Sequence, residues 1–169
     1  MAATSAHSWI QHLQMTRHVE GGWYSEMYRS SLSLPASAIS PGFTGDRSTC
    51  THIYFLLEKE NFSAFHRIRS DEIWHFYSGD PITVYEIDSS GELIEHILGN
   101  DPSSDHALCC VVKAGNWFAS RVKPGGEYGL VGCTVAPGFD FADFELAKKD
   151  VLQKEFPQHK DLIGSLCRE

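Results

Sequence analysis

The chain has 169 residues, 42% of them hydrophobic and 21% charged, with a formal net charge of -8 at pH 7. That length carries one domain with a proper core, and the composition is that of an ordinary globular protein. An acidic surface repels phosphate backbones, which disfavours nucleic acid as a partner, and no stretch approaches the roughly 20 apolar residues of a membrane span. The opening residues show no basic region followed by an apolar one, so the expectation is a cytoplasmic protein without membrane contact. Cys50, Cys109, Cys110, Cys133 and Cys167 form an odd set without a C-x-x-C. That predicts reduced thiols rather than a disulfide framework or a zinc site.

Residues 5–16 read as a short helix, capped by Ser5 or Ser8, with Trp9 and Leu13 on one face. His18-Val-Glu-Gly-Gly-Trp-Tyr24 follows, where two glycines predict a tight turn into a strand from Trp23 to Tyr28. Glu20, beside those glycines, is a candidate to project into a pocket. Residues 30–46 are rich in Ser, Pro and Gly and predict a long loop, a candidate lid. From Arg47 onward the pattern is β. Strands are predicted over 48–57, 64–68 and 72–77. A hairpin of 82–87 and 92–98 turns at Asp88-Ser-Ser-Gly91, and further strands run over 108–112, 117–122 and 127–135. Helices are predicted over 144–155 and 159–167, separated by Pro157.

The most chemically loaded stretch is Ser63–Gly79, SAFHRIRSDEIWHFYSG. His66 ends one predicted strand and Glu72 starts the next. Alternation puts Glu72, Trp74 and Phe76 on one face, with Ile73, His75 and Tyr77 on the other. A histidine and a glutamate on adjacent strands, both facing inward, form an acid–base pair or half of a metal site.

His66, Glu72 and Gly79 match the first histidine, the glutamate and the closing glycine of the first cupin motif, while its second histidine position holds Ile68. At the second motif, Gly115-Asn116-Trp117-Phe118 puts Trp117 or Phe118 in the histidine slot. The segments Glu20–Tyr24, Ser48–Leu57, Phe65–Gly79, Trp117–Ala119, Leu130–Phe141 and Phe144-Glu145 resemble a short cupin family known as a domain of unknown function. The resemblance implies a mainly β fold: a cupin (double-stranded β-helix, jelly-roll) barrel of two antiparallel sheets with short N- and C-terminal helices. A single domain would span 1–169, with its barrel over about 19–142 and C-terminal helices over about 143–167. The resemblance also implies a homodimer formed through an outer sheet.

Two of the four usual cupin ligands are missing, so no metal and no other cofactor is expected; His66 and Glu72 would be the ligands of any weak site. The fold relation to metal-free sugar-nucleotide epimerases implies His66 as a base, Glu72 as its orienting partner or the acid, and Tyr24, Tyr54 or Tyr128 as proton donor. Trp74, Phe76 and Trp117 would offer stacking surfaces. Arg29, Arg47 and Lys113 would meet a phosphate or carboxylate, and Cys133 would face the cavity. The expected function is binding of a small molecule, of nucleotide-diphosphate or sugar-nucleotide type, with metal-free isomerase or epimerase activity. The alternatives are a metal-dependent cupin enzyme and a non-catalytic storage or scaffold barrel.

Overall fold

The computed structural model describes residues 5–39 and 41–168; Ser40, inside the long 30–46 loop, lies outside them. Ser5 caps helix α1 (Ala6–His12), its hydroxyl accepting from the Ser8 amide at 3.2 Å. The strands are β1 (Thr16–Arg17), β2 (Trp23–Arg29), β3 (Ser33–Leu34), β4 (Arg47–Ser48), β5 (Thr51–Glu58), β6 (Phe62–Arg67) and β7 (Asp71–Gly79). They continue through β8 (Ile82–Ile87), β9 (Leu93–Leu98), β10 (Cys109–Val112), β11 (Trp117–Val122), β12 (Tyr128–Ala136) and β13 (Glu145–Leu146). Helices α2 (Lys149–Glu155) and α3 (Lys160–Leu166) close the chain.

Two antiparallel sheets face each other. One has the order β1-β2-β5-β12-β7-β10 and the other β13-β6-β11-β8-β9. Alternation sends one side chain of each pair inward. Phe55, Leu57, Trp74, Ile82, Val84 and Phe118 meet in the interior, all essentially buried. The next residues along face out and are covered at two places. Leu56, Tyr128 and Leu130 pack under α1 with Met15. Phe65, Ile87 and Trp117 pack under α2 and α3, against Leu152, Phe156, Ile163 and Leu166. Helices of seven residues are marginal alone, so these apolar contacts hold them in place.

The predicted hairpin is present, with Ile82 paired to Leu98 and Ile87 to Leu93. The 144–155 helix expected from the sequence starts later. Glu145 and Leu146 pair with Arg67 and His66 as a sheet-edge strand, and the helix begins at Lys149. The 30–46 segment is partly structured by β3 pairing with β4, and by the Ala36 amide donating to Asp46. Its anchor is Arg47, which grips the buried Asp143 carboxylate through Nε at 2.7 Å and Nη2 at 2.8 Å.

One irregularity positions the site. On β2, Glu26 pairs with Ile53 but Tyr28 pairs with His52, leaving Met27 as an extra residue. Such a bulge reverses the alternation that follows it. Tyr24 and Glu26 face inward before it, and Arg29, three residues after Glu26, also faces inward, opposite Thr51.

Candidate active site

A cavity of about 280 Å³ opens at one end of the barrel interior, lined by residues of β2, β5, β6, β7 and β12 and by the segment after β12. His18, Glu20, His66 and Glu72 supply its inner histidines and carboxyl groups; Cys133 and Ile68 also line it. Phe55, Ile53 and Val135 form apolar wall. Tyr24, Glu26, Arg29, Phe139, Asp140 and Phe141 lie nearer the mouth, where Phe141 is 55% exposed.

Glu20 is the centre of the polar network. The turn that carries it needs its glycines: Gly21 has φ +116° and Gly22 +74°. A Cβ on Gly21 would run into the Phe62 carbonyl, and one on Gly22 would come within 2.9 Å of the Leu56 carbonyl and the Phe55 ring. The Glu20 carbonyl accepts from the Ala64 amide at 2.9 Å and from Arg168 at 3.1 Å, so the backbone is pinned. Its Oε1 accepts from the Ser63 hydroxyl at 2.8 Å. Its Oε2 lies 3.2 Å from His66 Nε2 and 3.3 Å from His18 Nδ1.

His66 has a defined orientation. Its Nδ1 is 2.7 Å from the Ala64 carbonyl oxygen, which can only accept, so Nδ1 carries a proton. Its Nε2 therefore faces a carboxylate oxygen, and a stable contact there requires one proton shared by the pair. Burial alone would raise the Glu20 carboxyl; the His66 charge, helped by His18 and Ser63, holds it below the ordinary range. Burial pushes the His66 imidazole down, opposed by Glu20 and the Ala64 carbonyl.

Glu72 is the opposite case. It is 8% exposed, and among the described residues no cation acts on its carboxyl. Burial, reinforced by the Glu20 charge, pushes its carboxyl up to about 8, while interactions with Cys133 and the Trp74 indole pull the other way. At neutral pH Glu72 is a carboxylic acid and a hydrogen-bond donor. Cys133 shares this environment, and burial pushes its thiol well above the ordinary value, so it is no thiolate nucleophile.

The structure brings together His66, Glu72, Glu20, Tyr24, Arg29 and Cys133 around one cavity. It sends the other sequence candidates elsewhere. Trp74 and Phe76 face inward but lie in the packed core, 1% and 8% exposed. Trp117 points out of the barrel into the cluster under α2 and α3, because Phe118 takes the inward position. Tyr128 packs with Met15 and Leu130 near α1. Arg47 is committed to Asp143, and Lys113 pairs with Asp71 at the surface, 2.8 Å apart. No described residue of the 30–46 loop lines this cavity; Pro41 and Phe43 border a separate depression with Arg67 and Arg69.

His18 was not among the sequence candidates. It meets Glu20 within one turn and shares that carboxylate with His66 of β6, an arrangement periodicity cannot register. The available signal was its place two residues before Glu20. His52 and His75 bond to Thr134 Oγ1 at 2.8 and 3.1 Å, on the face of the sheet away from the cavity.

The cupin metal pattern fails at two positions. Ile68 lines the cavity where a second histidine would stand, and Phe118 pairs across from His66 with ring centroids 4.0 Å apart. Neither side chain can ligate a metal. Among the described residues, no group of three or more His, Cys, Asp or Glu is arranged to hold a metal ion. His66 and Glu72 alone do not fit the metal centre of metal-dependent cupins.

A family model described as Cupin superfamily (DUF985) matches residues 7–147. An uncharacterised protein of Saccharomyces cerevisiae, YML079W, is 28% identical over 151 residues, covering 82% of this chain and 73% of that protein. The solved structure of SO0799 from Shewanella oneidensis is 38% identical, covers 98% of both chains and superposes with a TM-score of 0.86. A hypothetical protein from Leishmania major, 32% identical, superposes with a TM-score of 0.89 over 98% of this chain and 100% of its own. Oxalate decarboxylase from Bacillus subtilis shares the fold at 13% identity, with a TM-score of 0.53 over 89% of this chain and 36% of that one. Matched over most of its length, the chain belongs to the cupin superfamily, in the family designated DUF985.

Proposed function

We propose that the protein binds a small molecule in the barrel cavity and acts on it by metal-free proton transfer, as an isomerase or epimerase. The observation that carries this reading is the buried His66–Glu20 contact at 3.2 Å, with His66 Nδ1 anchored on the Ala64 carbonyl. A pair sharing one proton at a cavity wall can accept a second proton from a ligand. Glu72, neutral at pH 7, supplies the complementary function.

For a carbonyl ligand the steps balance. The His66–Glu20 pair removes a proton from the carbon next to the carbonyl, and the C–H electron pair moves toward the carbonyl oxygen. Glu72 donates its proton to that oxygen. For an α-hydroxy carbonyl, return of the proton to the former carbonyl carbon, with the hydroxyl on the original carbon giving its proton to the Glu72 carboxylate as it becomes the new carbonyl, completes an isomerisation. Protonation of the original carbon on its other face, with the enol O–H proton going back to Glu72, completes an epimerisation. Tyr24, at the cavity wall, is the candidate second donor for that last step.

Among the described lining residues Arg29 is the one cation of fixed charge, and a carboxylate already occupies it. For a sugar nucleotide, the cavity therefore suits the sugar and offers a diphosphate no unpaired partner. The same reading includes a homodimer, formed through the outer face of the six-stranded sheet, where Tyr28, Tyr77 and Val111 are 49%, 45% and 40% exposed.

The test is solvent exchange. A panel of aldoses and ketoses incubated with the protein in D2O should yield at least one sugar with deuterium at a carbon next to its carbonyl. Glu20→Gln and Glu72→Gln should each slow that exchange about a hundredfold or more. Saturable binding without exchange in any sugar would make the protein a non-catalytic binder and overturn the proposal.

A further inference from the structure

We infer that Glu26 is a specificity-determining residue that makes the cavity select uncharged ligands over anionic ones. This rests on the reading of the cavity as a ligand site, and goes beyond it to the charge class of what enters.

The mouth holds one guanidinium, Arg29, in the position an anion receptor would need. Three of its five N–H groups are already engaged. Nε donates to Glu26 Oε1 at 3.1 Å and Nη2 to Glu26 Oε2 at 2.7 Å, a two-pronged pair. Nη1 donates to the Phe139 carbonyl at 3.0 Å. The exposed Asp140 carboxylate, next along the chain, adds a second negative charge within electrostatic reach of the same guanidinium. Two carboxylates therefore face one cation at the entrance, and the local charge is negative.

The arrangement depends on the bulge at Met27. Without the extra residue, Glu26 and Arg29 would point to opposite faces of β2, because they are three positions apart. The bulge turns Arg29 inward beside Glu26. An anion receptor would be served by the inward arginine alone; adding a carboxylate across its face cancels that use.

Deeper in, no unpaired cation stands among the described lining residues. His66 shares its proton with Glu20, and Glu72 is protonated. A carbonyl or hydroxyl oxygen finds a donor in Glu72. A carboxylate or phosphate there would face the Glu20 and Glu72 carboxyls. Phe139, Phe141, Tyr24 and Phe55 supply apolar surface for a ring. The ligand class that satisfies both is a small uncharged compound with a carbonyl or hydroxyl group and one apolar face.

Near-isosteric probe pairs test this. Glucose against glucuronate and benzamide against benzoate differ mainly in charge. Titrated into the full chain and followed by amide chemical shifts, the neutral member should bind at least about tenfold more tightly in at least one pair. The anion's disadvantage should shrink between low and high salt. Glu26→Gln frees one face of Arg29 on an exposed part of β2, so the variant should fold, and its neutral-to-anion ratio should fall toward one or below. Equal or tighter binding of both anions by the unaltered protein overturns the inference, as does an unchanged ratio in Glu26→Gln. Those results leave ligand binding in the cavity standing. Absence of any shift with all four probes, in both forms, overturns the inference and the small-molecule reading together.

Discussion

Glu72 and Glu86 are both buried glutamates on neighbouring parts of the barrel, 8% and 2% exposed. What meets their oxygens differs. Glu86 accepts from the Lys113 amide at 3.0 Å and the Asn116 side-chain amide at 2.7 Å, and pairs with His96 at 2.8 Å. It ties the β10–β11 turn to the β8–β9 hairpin. Glu72 has no such set; it shares a cavity wall with the Cys133 thiol and feels the Glu20 charge. Burial is common to both, so burial does not mark the functional group. The marker is burial without compensation, which stores a proton where a ligand can reach it.

Glu86→Ala should destabilise the fold most, by about 3 kcal/mol, because it strands three donors; chemical denaturation at pH 7 measures it. Glu72→Gln should act in the other direction, by an amount that grows as pH rises above the ordinary glutamate range. A carboxyl whose folded value lies above its unfolded one keeps a proton that the unfolded chain releases. Unaltered protein therefore loses stability as pH rises from the ordinary glutamate range to about 8, and the full penalty stands above that. At pH 9 Glu72→Gln should be more stable by a few kcal/mol, and near pH 4 the two should match. Lys113→Ala should change least. Its pair with Asp71 is exposed, at 66% and 44%, so the loss should be too small for the same denaturation experiment to resolve, with ligand affinity unchanged.

The alternation of β7 was legible in the sequence, and it put Glu72 inside and His75 outside. So was the role of the two glycines in turning Glu20 toward a pocket. Trp117 was not, because every residue of Trp117–Ser120 is buried: one face meets the barrel and the other meets helices that follow 30 residues later. Alternation gives a face, and here both faces are dry. The depth of a side chain along the barrel was equally hidden, which is why Trp74 and Phe76 share Glu72's face yet lie in the core. His66 found its partner in Glu20 rather than Glu72. That contact joins the N-terminal turn to β6, and strand patterning carries no information on which turn folds over which strand. The Met27 bulge, which aims Arg29 inward, leaves no mark in the polarity of β2.

The proposed chemistry needs an inner carboxyl that stays protonated at neutral pH beside a proton-sharing histidine–glutamate pair. Carbon-13 NMR of glutamate carboxyls, titrated with pH and assigned with Glu72→Gln, reads this directly. The prediction is a Glu72 resonance with a midpoint near about 8, and a Glu20 resonance still that of a carboxylate below the ordinary glutamate value. A Glu72 midpoint in the ordinary range, near about 4.3, would contradict it.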